Sequence, residues 1–246
     1  MTLRHWMVSQ VKRKMRRVGV DIDIRRFEPG VSEAARMKKL FDTYQVDLVI
    51  DVGANTGTYG IELRDCGYSG RIISFEPIQG AYDMLVENAK GDAYWSVAPR
   101  MALGERDGTI QINVAGNVDS SSILNMLPAH LNAAPESRYV ATENVLIRTL
   151  DGLYGTVLPA DAKSAFVKLD VQGYEKNVMA GGKKLFSTAT GVQLELSLVP
   201  LYEGQILYNE MIDFLRAEGF VLTAVVPGFV DVNSGRMLQF DGIFFR

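Results

Sequence analysis

One short run constrains the fold more than any other feature of the chain: Val46-Asp47-Leu48-Val49-Ile50-Asp51-Val52 empties directly into Gly53-Ala54-Asn55-Thr56-Gly57. A short apolar stretch rich in β-branched residues is the mark of a strand buried on both faces. The glycines after it permit a tight turn into a helix. A strand of that kind needs neighbours, and the sequence supplies them in rhythm. A helix is expected to about Cys66, a second strand at Arg71–Phe75, a second helix at about Ile78–Ala89 and a third strand within Tyr94–Ala102. Ala165–Val171, a helix over Glu175–Phe186, a strand at Gly191–Ser197 and a helix over Gln205–Ala217 resume the pattern, and Phe220–Val226 and Gln239–Phe245 close it. Alternation at this spacing predicts an α/β fold, a mostly parallel sheet of about seven strands with helices on both faces.

Two regions depart from the rhythm. Thr109–Val114 and Val145–Thr149 read as strands, but Gly116–Thr142 between them is rich in Ser, Asn, Ala and Pro. An excursion or lid is expected at about 115–143, and long connections in compact domains are more often functional than idle. At the other end, residues 1–17 carry six basic groups and no acid, which leaves 20 basic against 29 acidic residues in the remainder. Leu3, Trp6, Met7, Val11, Met15 and Val18 recur at helical spacing. A basic amphipathic helix over 1–18 follows, either packing its apolar stripe on the domain or lying on anionic lipid. Ser32 is placed to cap a further helix reaching about Tyr44. The organisation expected is therefore a helical extension over 1–44 and one domain over 45–246.

Composition excludes several classes. No apolar run approaches the ~20 residues needed to cross a bilayer, and a secretory leader is not evident. A single cysteine, Cys66, allows no intramolecular disulfide, so a cytoplasmic home is expected, with membrane association through residues 1–18 as its one qualification. The acidic body lacks the basic, aromatic-interleaved footprint of a nucleic-acid binder.

The glycine turn carries the first chemical signal. It offers close backbone approach and a helix N-terminus, which implies a nucleotide-like ligand. Its glycines fall at 53, 57 and 60, not in the Gly-x-Gly-x-x-Gly spacing of dinucleotide sites. Asp51 just ahead of it suits a ligand bearing an ammonium group better than a pyrophosphate. Glu76, in Ser74-Phe75-Glu76-Pro77 at the end of the second strand, is placed to accept both hydroxyls of a ribose; taken alone it is an ordinary helix-entry acid. An adenosine with an amino-acid tail is S-adenosyl-L-methionine. The third signal is Phe166-Val167-Lys168-Leu169-Asp170-Val171-Gln172-Gly173-Tyr174-Glu175. Period-two alternation puts Phe166, Lys168 and Asp170 on one face, and Gln193, Glu195 and Ser197 on one face of the next strand. Asp170 and Glu195 can then converge at the carboxyl ends of the strands, where α/β sheets bind ligands. The competing reading is a structural ion pair of Lys168 with Asp170 or Glu195.

Asp51-Val-Gly-Ala-Asn-Thr-Gly57, Phe75-Glu-Pro77, Ala102-Leu-Gly104, Thr149-Leu-Asp151 and Lys168-Leu-Asp-Val-Gln-Gly-Tyr-Glu175, in that order, resemble the FkbM family of S-adenosylmethionine-dependent methyltransferases. The resemblance covers roughly residues 46–200. It implies the class I methyltransferase (Rossmann-like) fold, a seven-stranded sheet whose last strand is antiparallel, and O-methylation of sugars in glycans and glycolipids or of secondary metabolites. It implies that Asp51, Gly53, Ala54, Asn55 and Gly57 line the methionine end of the cofactor, with Asp170 nearby. Glu76 and Pro77 would take the ribose, and Ala102 and Leu103 the adenine. Where the family usually reads Asp-Val-Glu-Gly, this chain has Gln172.

An alcohol is a poor nucleophile until its proton leaves, so a base is expected beside the acceptor. Asp170, Glu195 and His130 are the candidates. His5 sits in the basic segment, and two histidines offer no recognisable metal-ligand spacing. The expected partner is a small-molecule, sugar or glycolipid acceptor. Two other readings stand beside it: methylation of RNA, against which the charge counts, and a non-catalytic adenosine-ligand-binding subunit.

Overall fold

The protein is described by a computed structural model over residues 26–246 and, before them, Met15 alone. The basic segment expected to form a helix over 1–18 therefore lies outside the described residues but for that one position.

Helix α1 (Glu33–Thr43) opens the described chain, and the Ser32 hydroxyl accepts from Ala35 N at 3.3 Å, the cap expected of that serine. Strand β1 (Leu48–Val52), α2 (Thr58–Asp65), β2 (Arg71–Phe75), α3 (Gln79–Ala89) and β3 (Trp95–Val97) follow. Next come β4 (Ala102–Leu103), β5 (Gly108–Ala115), α4 (Pro128–Ala133) and β6 (Tyr139–Arg148). The chain ends with β7 (Ala165–Leu169), α5 (Glu175–Ala180), α6 (Lys183–Thr188), β8 (Gly191–Ser197), α7 (Tyr208–Ala217), β9 (Val221–Pro227) and β10 (Gln239–Phe245).

Seven strands form one sheet in the order β3-β2-β1-β7-β8-β10-β9. β1, β2, β3, β7 and β8 pair in parallel, and β10, the last in the chain, is antiparallel to both β8 and β9. This is the seven-stranded arrangement with an antiparallel last strand that the resemblance implied. Alternation sorts the side chains of β1 cleanly. Leu48, Ile50 and Val52 join Val167, Leu169, Val178, Leu194 and Leu215 on one side of the sheet. Val49 joins Phe41, Leu63, Leu85, Trp95, Phe166 and Phe245 on the other.

Thr109–Val114 and Val145–Thr149 do form strands, but outside the main sheet. β4, β6 and β5 make a separate three-stranded sheet in that order, with β5 and β6 antiparallel from Gly108↔Ile147 to Ala115↔Tyr139. The hairpin is longer than its polar sequence suggests because every second residue of its apolar face, Ile112, Val145 and Ile147, packs with Ile78, Ala81 and Ala102. Residues 116–138 are left to cross over the end of the main sheet.

The helix expected over Glu175–Phe186 is two. Gly181 and Gly182 interrupt it, because the backbone of Gly104 packs against Gly181 with no room for a side chain. The Asp151 carboxylate caps the second helix, accepting from Lys184 N at 3.0 Å and Leu185 N at 3.1 Å. Among the described residues, no helix is long and apolar enough to cross a membrane.

Candidate active site

A cavity of about 400 Å³ lies over the carboxyl ends of β1, β2 and β7, roofed by residues of the 116–138 crossing. Its floor begins at the glycine turn. Gly53 has φ +76°, and a Cβ there would fall 1.9 Å from the Asp170 carbonyl oxygen, so only glycine lets the β1 and β7 turns approach this closely. Gly53 N and Ala54 N both donate to Phe75 O at 3.0 Å, and Asn55 N donates to Glu76 Oε2 at 2.8 Å. These three N–H groups are spent inside the protein. The turn is therefore a shaped wall and not a phosphate nest, in keeping with its departure from the dinucleotide spacing.

Glu76 is held from both sides. Oε2 takes Asn55 N and Oε1 takes Ile78 N, each at 2.8 Å, which aims the carboxylate into the cavity while each oxygen keeps a lone pair for a ligand. Burial pushes its carboxyl up to about 7, against the pull of those two N–H donors. Beside it, Ile78, Met101, Ala102, Leu103 and Ile112 give the cavity an apolar wall.

The polar end of the cavity is built by register. Asp51 stands opposite Lys168, and Lys168 opposite Gln193, so a row of polar groups crosses the sheet on the α1–α3 side. Lys168 Nζ lies 3.1 Å from Asp170 Oδ2 and 3.7 Å from Asp51 Oδ1. Burial alone would lower the Lys168 ammonium; Asp170 and Asp51 more than offset that and hold it above its ordinary value.

Gln172, with φ +52°, turns its amide back over this row. Its Nε2 donates to Asp170 Oδ1 at 2.9 Å and to Glu195 Oε2 at 2.8 Å, while its Oε1 accepts from the Tyr202 hydroxyl at 2.7 Å. The residue that departs from the family pattern is thus the clamp between two carboxyls, each hydrogen of its NH2 group matched to one acid. The Glu195 carboxyl is pushed well above its ordinary value by burial and by Asp170 and Asp241. Asp170 has a third of its side chain exposed and faces the cavity.

The structure brings most of the sequence-derived residues to this one cavity: Gly53, Ala54, Asn55, Glu76, Pro77, Ala102, Leu103, Asp170 and Glu195 all line it. Asp51, Gly57 and His130 do not line it, each for a physical reason. Asp51 is fully buried below the floor, where Ser74 Oγ donates to it at 3.3 Å and Lys168 faces it. Gly57 and Gly60 serve packing: a Cβ on Gly60 would lie 2.3 Å from the Trp95 ring, and one on Gly57 would lie 2.9 Å from Leu85. His130 is buried inside the crossing, its Nε2 3.2 Å from both Ser120 Oγ and Ser137 Oγ and its ring edge-on to Tyr202. Burial lowers it to about 4, so it is neutral at neutral pH and pins the crossing together.

Residues the sequence reading passed over are Asp119, which meets the Asn55 side chain across the cavity mouth, and Tyr59, whose hydroxyl donates to Gln193 Oε1 at 3.0 Å. The one signal for Tyr59 was its place in the first turn of the helix after the glycines. Nothing local marks Asp119.

Residues 51–222 match the model of the methyltransferase FkbM domain. The chain belongs to the FkbM methyltransferase family. It is also 27% identical over 187 residues to the 2-O-methyltransferase NoeI of Sinorhizobium fredii, covering 73% of this chain and 74% of that one. Among solved structures, a precorrin-6y C5,15-methyltransferase from Geobacter metallireducens is similar at a TM-score of 0.42 and 11% identity, over 92% of this chain and 93% of that one. The FkbM motifs now divide by task. Thr149-Leu-Asp151 is architectural, since Asp151 caps α6. Glu175 is architectural too, its Oε1 taking Gly173 N at 3.1 Å and Val171 N at 3.3 Å to hold the β7 turn. Phe75-Glu-Pro77, Ala102-Leu103 and Asp170 face the cavity. This methyltransferase has the class I fold, with its pocket at the carboxyl ends of the strands.

Proposed function

We propose that this FkbM methyltransferase takes S-adenosyl-L-methionine as its methyl donor and methylates a hydroxyl oxygen of a sugar or a comparable polyhydroxyl compound. The observation that carries the donor assignment is Glu76, a buried carboxylate fixed by two backbone N–H groups beside an apolar wall. That combination suits a ribose diol next to an adenine. Glu76 and Pro77 bind the ribose, the apolar wall of Ile78, Met101, Ala102 and Leu103 binds the ring, and Gly53, Ala54, Asn55 and Asp170 bound the amino-acid end. Asp51 acts from below, by setting the charge and position of Lys168.

When bound, the donor supplies a methyl group: a lone pair of the acceptor oxygen forms the new C–O bond, the C–S electrons return to sulfur, and S-adenosylhomocysteine leaves as the hydroxyl proton departs. The protein's tasks are positioning and proton removal. Asp170 receives the proton at a carboxylate oxygen, oriented by Lys168 and by the Gln172 amide. Glu195 accepts the other hydrogen of that amide. O-methylation is supported by the 2-O-methyltransferase relative.

Isothermal titration with S-adenosylmethionine, S-adenosylhomocysteine and NAD tests the donor. Micromolar binding of the first two with none of NAD is expected; binding of neither withdraws the assignment.

A further inference from the structure

A second cavity, of about 600 Å³, adjoins the first, and the two have Thr58, Tyr59, Lys168 and Asp170 in common. It opens between α1 and α2 over one face of the sheet, with Gln193 of β8 and Asp241 and Ile243 of β10 in its wall. Its inner wall is a polar ladder, with the Tyr59 hydroxyl donating to Gln193 Oε1 at 3.0 Å and Gln193 Nε2 donating to Asp241 Oδ2 at 2.7 Å. Met37, Leu63 and Ile243 give it an apolar side.

Methyl transfer requires the two reactants to meet in line across a small gap, so the donor and acceptor sites must share a boundary that also holds the proton acceptor. The Tyr59–Lys168–Asp170 boundary meets that requirement. The first cavity, at about 400 Å³, is filled by a nucleoside with an amino-acid tail, which leaves the second for the other reactant.

Charge decides what enters. Glu33, Glu62 and Asp65 stand at the mouth and Asp170 and Asp241 inside, against only Arg36 and Lys168 among the described lining residues. Lys168 is already committed to Asp170 and Asp51. Among the described lining residues an anion entering this space meets five carboxylates against two cations, Lys168 held by Asp170 and Asp51, and Arg36 at the rim with its Nε on Pro29 O. A hydroxyl-bearing ring meets acceptors at the carboxylates and an amide ladder, with an apolar side for its C–H face.

Resting on the donor reading above, we infer that this second cavity is the acceptor site, and that it admits uncharged or amine-bearing sugars while refusing phosphorylated, sulfated or carboxylated ones. The acidic mouth acts as a selectivity filter separate from the chemistry at Asp170.

The test is ligand-observed NMR on the full chain saturated with S-adenosylhomocysteine, using methyl glucoside, methyl glucosaminide and methyl glucuronide as probes. The first two should bind, and the glucuronide should bind about tenfold more weakly or worse. Glu62→Lys with Asp65→Lys, both at exposed positions, should narrow that difference to about threefold or less. Ala34→Trp, at an exposed position of α1 on the cavity wall, should abolish the glycoside signals while calorimetric affinity for S-adenosylhomocysteine stays unchanged. Equal binding of the glucuronide, silence from all three probes, or glycoside signals untouched by Ala34→Trp would each overturn the inference with the donor reading intact. Failure of wild-type protein to bind S-adenosylhomocysteine would instead remove the donor reading itself.

Discussion

Replacing Glu76 by Gln keeps the shape of the side chain and removes its charge. The carboxylate now serves two backbone donors with two oxygens, Asn55 N on Oε2 and Ile78 N on Oε1. An amide has one acceptor oxygen, so one of these N–H groups will face an NH2 group, and the ribose diol will lose a charged acceptor. A hydrogen bond to a charged group is worth about 1.5–3 kcal/mol, or roughly ten- to hundredfold in donor affinity. The orphaned buried N–H costs a further ~1–3 kcal/mol of stability, which lowers the melting midpoint by roughly 2–4 °C per kcal/mol in a chain of this size. Affinity should also follow pH in the wild type. Burial holds the Glu76 carboxyl at about 7, above its ordinary 4.5, so the protonated form is the one the fold favours. The stability this lends is complete below pH 4.5 and lost as pH rises through about 7, whereas ribose binding needs the carboxylate and strengthens across the same window. At about pH 5.5 only a few per cent of the group is ionised, so affinity for S-adenosylhomocysteine should be about thirtyfold weaker than at about pH 8.5. Calorimetry at both pH values, on wild type and Glu76→Gln, measures both effects. A flat wild-type profile, or a folded variant that binds within twofold of wild type, refutes the ribose assignment.

Three further outcomes follow from the geometry. Asp170→Asn preserves the contact with Gln172 but removes the proton acceptor, so turnover should fall by about 10²–10⁴-fold, far more than S-adenosylhomocysteine affinity; an active variant removes Asp170 from that role. His130→Asn should lower the melting midpoint yet leave the pH–rate profile near neutrality as it is, because the buried ring, held at about 4, does not titrate there; loss of the acid limb of that profile would make His130 the base after all. Gly60→Ala forces a Cβ to within 2.3 Å of Trp95, an overpacking that should cost about 1–3 kcal/mol, read as a lower thermal midpoint; an unchanged midpoint contradicts the packing account of these glycines.

Much of the cavity wall was legible because it is local. Glu76 ends a strand and precedes Pro77, and the approach of Gly53 to the Asp170 carbonyl leaves a positive-φ glycine in the text. Ser32 and Asp151 are caps, whose signature is short-range by nature. The rest of the site depends on distant neighbours. Asp51 precedes the glycines in sequence, while strand alternation points its side chain beneath the floor on the Val49 face, toward Ser74 and Lys168. Gly57 and Gly60 look like ligand-approach glycines and are shaped instead by Trp95, 35 residues beyond Gly60. His130 is polar in sequence and buried in space, since two serines and a tyrosine ring enclose it.

By itself the sequence determined the class of fold, the run of strands and helices and the family, because periodicity, capping and turn residues record how each stretch of chain meets water and its near neighbours. Only the tertiary structure decided that Thr109–Val114 and Val145–Arg148 leave the main sheet, that Gln172 clamps Asp170 to Glu195, and that a second, acidic cavity meets the first at Tyr59 and Lys168. Those relations join residues brought side by side by strand register and by the crossing at 116–138. Register is set by how the whole sheet packs, and no segment of the chain carries it alone.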